Sequence, residues 1–160
     1  MGKAELLAEL QAAGVALNGA GYALFADERF TTSATTSLIE TVTLSVNDLG
    51  RPTGATFEQL VQRATSLGLS LCPLELGPHL RLQFLNQGEG FFGQPVTRHC
   101  APPGSVTVAS RPLSADPDTP KGFYLRRING VLWLRGYRSG PEHIWGPEDA
   151  LVFCRSHNAA

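Results

Sequence analysis

Glu75, His79 and Arg81 fall within seven residues of sequence, and a carboxylate beside a histidine is a pair that could do general acid–base work. Pro73, Gly77 and Pro78 punctuate the same stretch, which reads as a rigid turn rather than a helix or strand. The spacing alone therefore does not set where these side chains point. His143, two residues before Trp145 and close to the last strand, could bring a second histidine to a cleft. A surface Glu and His near a turn more often serve structure than catalysis. No G-x-S-x-G elbow, Walker A loop or H-E-x-x-H run accompanies them.

Two further motifs are incomplete. Residues 88–93 read Gly-Glu-Gly-Phe-Phe-Gly, but a dinucleotide site needs that run to open a helix, and Pro95 follows almost at once. Cys154 and His157 have C-x-x-H spacing, with His99-Cys100 as the only other pair. Adjacent ligands are awkward for tetrahedral zinc, and Cys154 alternates within an apolar strand. Neither a metal nor a cofactor is expected.

The elements that must position these residues follow from periodicity. Residues 3–13 place Leu6, Leu7 and Leu10 on one stripe with Gly14 beyond, a capped amphipathic helix. Residues 14–37 hold an apolar patch (Tyr22, Leu24, Phe25, Phe30) and a Ser/Thr-rich loop. Residues 40–46 alternate as a half-buried strand. Thr56 and Gln59 form a capping box ahead of a helix carrying Phe57, Leu60, Val61, Ala64 and Leu67, ended by Gly68. Leu80, Leu82 and Phe84 alternate with Arg81 and Gln83, which predicts a second strand. Residues 86–104 read as a long loop, Val106 and Val108 as a short strand, and 112–120 as a flexible Pro/Asp loop.

Asn129-Gly130 accepts the positive φ angles of a type I′ turn, so 123–128 and 131–137 are predicted to pair as a hairpin. Leu151–Cys154 suits a central strand. The predicted fold is α+β: a mostly antiparallel sheet with a C-terminal β-hairpin and two main helices packed on one face. Residues 1–160 are expected to form one domain, with a helix and loop over 1–37 and the sheet over 38–155.

Counting out from the turn puts Phe123, Leu125, Leu132 and Leu134 on one face of the hairpin, which must be the core face. The other face carries Tyr124, Arg126, Trp133, Arg135 and Tyr137. Flat rings and guanidinium groups on a sheet suit unpaired bases and phosphates. The same cross-strand pairs also serve a plain solvent face, where arginine stems cover the rings.

The 13 basic and 14 acidic residues give no global charge that would steer the chain to nucleic acid or membrane. Their distribution is uneven: residues 1–80 carry four basic and eight acidic groups, 81–160 nine and six. Three widely spaced cysteines do not form a disulfide framework, Glu5 and Glu9 interrupt any secretory leader, and no apolar run approaches a membrane span. A reduced cytoplasmic location is expected.

The segments Gly54–Glu58, Leu69–Pro73 and Glu75–Gln83, with Val131–Leu134 and Trp145–Asp149, together resemble a family of small uncharacterised bacterial proteins, over roughly residues 42–155. Members sometimes carry a helicase label. A helicase needs a phosphate-cradling Gly-Lys-Thr/Ser loop, which is absent from this chain. The resemblance implies a bacterial cytoplasmic origin and transfers no site residues.

With no complete catalytic set, the leading expectation is a non-enzymatic binding or accessory protein with a protein or small-ligand partner. An RNA-contacting protein using Tyr124, Arg126, Trp133, Arg135 and Tyr137 is the second. A small hydrolase or transferase, with Glu75 and His79 in acid–base roles, is the third.

Overall fold

The computed structural model describes residues 1–35, 38–90 and 104–155. Within them the elements run α1 (Lys3–Ala12), β1 (Ala16–Leu17), α2 (Gly19–Ala26), β2 (Thr41–Ser45), β3 (Ala55–Thr56), α3 (Phe57–Ser66), β4 (Leu69–Ser70), α4 (Leu76–Gln83), β5 (Val106–Val108), β6 (Gly122–Ile128), β7 (Val131–Tyr137), β8 (Ile144–Trp145) and β9 (Ala150–Arg155). The main sheet has the order β1-β7-β6-β5-β9-β2, with β4 also paired to β9, and β3 and β8 form a second small sheet. Antiparallel pairing prevails, while β1–β7 and β5–β9 are parallel. The fold is α+β.

β9 shows why two cores exist. Val152 and Cys154 point into a core built with Leu6, Leu10, Leu24, Phe25, Phe123 and Leu134. Leu151 and Phe153 point the other way, into a core with Leu60, Ala64, Ala109 and Trp145. The period-2 alternation of a strand buried on both faces demands a cover on each. α1, α2 and α4 supply one cover and α3 the other, so the layering is fuller than the two helices on one face expected from sequence.

Two segments depart from the sequence reading. Residues 14–37 hold β1 and α2 as well as a loop. Asn18 makes this possible: its Oδ1 accepts from Gly21 N (2.8 Å) to cap α2 and from Gly136 N (2.8 Å), while its Nδ2 donates to Gly136 O (3.0 Å). One side chain thus starts a helix and closes the edge of β7.

The second departure is residues 76–83, expected as a turn running into a strand and found as α4. Pro78 sits in the first turn, where a backbone N–H would have no intrahelical acceptor, so it does not oppose the helix. Gly77 and Arg81, four residues apart, face inward together. At Gly77 a Cβ would lie 2.8 Å from Phe123 Cβ, so the missing side chain lets α4 lie directly on β6. The alternation of Leu80, Leu82 and Phe84 is satisfied instead by partial burial of all three against the first core.

Around the hairpin turn, Asn129 (φ 53°) and Gly130 (φ 76°) are both left-handed. Ile128 lies opposite Val131, Arg126 opposite Trp133, Leu125 opposite Leu134 and Tyr124 opposite Arg135. Glu89 clasps the tip, its carboxylate accepting from Gly130 N (3.0 Å) and pairing with Arg127 (3.4 Å). Among the described residues no helix is long and apolar enough to cross a membrane.

Candidate functional site

Glu75 and His79 are brought together at one end of α4. His79 Nε2 stands 3.7 Å from Glu75 Oε2, an i,i+4 pair on the helix surface. They share the lining of a cleft of about 370 Å³ with Ser33, Leu76 and Gln83. The Glu75 carboxylate also accepts from Ser33 N, at 3.0 and 3.2 Å. A separation of 3.7 Å is too long for a hydrogen bond, and among the described residues no group joins the two into a relay.

Arg81 does not share this cleft. It is fully buried, on the inward side of α4. Its Nη1 donates to Gln87 Oε1 (2.7 Å), Trp133 O (3.2 Å) and Arg126 O (3.4 Å), and its Nη2 to Phe84 O. Burial pushes its pKa down to about 10, which leaves it charged at neutral pH. Arg81 ties α4 to the hairpin and to the chain that leaves the helix. His143 is also remote from the cleft, packed edge-on against Trp145 at 5.2 Å on the α3 side.

The arginine and aromatic residues of the hairpin face serve one another. Arg135 Nε donates to Tyr124 Oη (2.8 Å), and its guanidinium lies 4.9 Å from the centre of the Trp133 ring. Arg126 is buried, at 7% exposure. Tyr137 turns toward the second core, with its ring 5.6 Å from Trp145. A stacking platform needs open rings and uncommitted guanidinium groups. Arg135 is committed within the sheet, and Arg126 is out of reach.

Cys154 is a core thiol beside Cys72, and both are free and buried. A hydrogen bond with Cys154, reinforced by burial, holds the Cys72 thiol far above its ordinary value. His99, Cys100 and His157 lie outside the described residues. Among the described residues no group of three or more His, Cys, Asp or Glu side chains could hold a metal.

A feature that the sequence reading missed is a pocket of about 560 Å³ at the base of the hairpin. Four separate segments build it. Phe57 and Glu58 come from the start of α3, whose entry is set by the capping box (Gln59 N to Thr56 Oγ1 3.3 Å, Thr56 N to Gln59 Oε1 3.0 Å). Pro112, Leu113, Ser114 and Ala115 form a second wall, and Ser139, Gly140 and Pro141 a third. Lys121 and Tyr137 complete it from the sheet, where Lys121 N donates to Tyr137 O (2.7 Å).

Gly122 lies opposite Tyr137 and leaves room for it: a Cβ there would meet Tyr137 Oη at 3.1 Å and Ser110 Oγ at 3.0 Å. Trp145 backs the aromatic wall, 6.4 Å from Phe57 and 5.6 Å from Tyr137. Burial pushes the Tyr137 phenol well above its usual range, so it remains a neutral donor. Ser110 Oγ is buried with no hydrogen-bond partner among the described residues. Lys121 is 9% exposed, and its Nζ donates to Ser114 O and Asp116 O, each at 2.7 Å. Lys121 is one of only two lysines in a chain with eleven arginines, and no spacing in the sequence marks it.

Comparison with protein-family models, with curated proteins and with solved structures finds no match to this chain in any of the three.

Proposed function

We propose that this is a non-catalytic binding protein of the bacterial cytoplasm, and that its ligand is a small organic molecule held in the pocket between α3, residues 112–115 and the base of the hairpin. The carrying observation is the pocket itself: about 560 Å³, walled by Phe57, Pro112, Leu113, Tyr137 and Pro141, with few polar groups. Sites for small molecules have this size, roughly 300–1,000 Å³, and this composition. Rigid elements support the reading. The α3 capping box, the β6–β7 pairing and the Trp145 ring fix the walls from behind. Two free, buried thiols suit a reducing compartment.

Adding a ring at Ser139, which lines the pocket on a connecting segment, tests this. A fragment library screened by ligand-observed magnetic resonance should give binders to the native protein that Ser139→Phe loses at unchanged melting temperature. Fragments that bind both proteins equally well would refute the pocket as the site.

The acid–base reading keeps one supporting observation, the shared cleft of Glu75 and His79. On that reading Glu75→Gln and His79→Gln would each abolish a hydrolytic activity found by substrate screening. Activity that survives both changes would end it.

A further inference from the structure

We infer that the ligand of this pocket is a monoanion with an apolar body, a carboxylate carried on an aromatic or aliphatic chain, and that Lys121 receives the carboxylate. The inference rests on the pocket being the binding site and adds the chemistry of what enters.

The charge at Lys121 carries the argument. A buried ammonium is normally paired with a carboxylate, because desolvation disfavours the charged form. Lys121 is buried, lines the pocket, and is held by two backbone carbonyls, Ser114 O and Asp116 O. No carboxylate among the described residues pairs with it. An ammonium has three N–H donors, so two carbonyl bonds leave one uncommitted. The carbonyls fix the nitrogen in place and do not neutralise it. An anion in the pocket would supply a third acceptor and an opposite charge in one charge-assisted hydrogen bond.

The rest of the lining sets the remainder of the ligand. Phe57, Leu113, Tyr137 and the proline walls offer apolar surface to a hydrocarbon or ring. Glu58 also lines the pocket, from the exposed side of α3. A second negative charge on the ligand would meet that carboxylate, which selects a monoanion over a nucleotide or polyphosphate.

Phenylbutyrate and its neutral isostere phenylbutyramide separate the two levels of the claim. Each is titrated into the native protein and into Lys121→Met while backbone amide chemical shifts are followed. The expected result is that phenylbutyrate moves the amides of Phe57, Leu113 and Tyr137, and that the amide binds weaker by on the order of tenfold, the worth of one charge-assisted hydrogen bond. Lys121→Met should remove that preference, and Lys121→Arg should keep part of it. The acid–amide comparison in the native protein stands even if a variant fails to fold. Equal binding of acid and amide, with shifts at the same residues, would overturn the assignment of an anion and leave the pocket reading intact. An absence of shifts at those residues with either probe, or shifts elsewhere, would overturn both.

Discussion

Arg81 and Lys121 are both buried cations held by carbonyl oxygens rather than by carboxylates, yet their surroundings differ. Arg81 is sealed between α4 and the hairpin, where its planar fork reaches Gln87, Phe84, Arg126 and Trp133 at once. Lys121 sits on the wall of a pocket and reaches two carbonyls of one loop. A guanidinium closed in by acceptors from three segments is a structural tie. A point charge on the wall of an apolar pocket is a place for a ligand. Similar chemistry therefore does two jobs, and the enclosure decides which.

The comparison breaks most visibly through Arg81. Arg81→Met removes one donor from the Gln87 side-chain carbonyl and from three backbone oxygens and leaves Gln87 buried, and the expected loss is about 3 kcal/mol. A fall in the urea midpoint at unchanged slope would show it. Arg81→Lys should recover only a part, because an ammonium cannot span those acceptors.

Glycine substitutions on each side sharpen the contrast. Gly77→Ala sets a Cβ 2.8 Å from Phe123 Cβ and lifts α4 from the sheet, an overpacking cost of roughly 1–3 kcal/mol with ligand binding preserved in the folded fraction. Gly122→Ala crowds Tyr137 and Ser110 instead, so binding in the pocket should weaken along with stability. Calorimetric titration of the two variants separates these outcomes.

Lys121→Met itself should cost only about 1 kcal/mol, since the freed Ser114 and Asp116 carbonyls belong to a surface loop that water can reach. A loss as large as that of Arg81→Met would mean that Lys121 is a second structural tie. The smallest effect is an acid one. Arg29 beside Asp27 holds its carboxyl at about 2, below the ordinary 3.8. The contribution of this exposed pair is complete above 3.8 and is lost as pH falls through about 2. Asp27→Asn should lower the neutral-pH melting temperature slightly and flatten this small part of the acid-unfolding curve, the two proteins converging as pH falls toward 2.

Local signals made much of the frame legible in the sequence. The Thr56–Gln59 capping box, the stripe of Leu6 and Leu10, and the alternation through β2 and β9 each follow from neighbours a few residues apart. α4 was misread because Leu80, Leu82 and Phe84 happen to alternate, while the deciding contact, Gly77 on Phe123, spans 46 positions. α2 was missed because Gly19 and Gly21 lower its helix propensity, and its stability comes from the Asn18 cap and from β7. The candidate pocket was not legible at all. Its walls come from four segments, one of them read as a flexible loop, and no spacing rule joins Phe57 to Lys121 or Pro141. Glu75 and His79 were legible as a pair because they are one helical turn apart, although that nearness is local geometry and assembles no catalytic relay.

The most direct test of the ligand pocket is a crystal structure of the native protein grown with phenylbutyrate at saturating concentration. The account expects the phenyl ring between Phe57, Leu113 and Tyr137, with the carboxylate within hydrogen-bond reach of Lys121 Nζ. A ligand lodged in the Glu75–His79 cleft, or a pocket left without one at saturation, would contradict it.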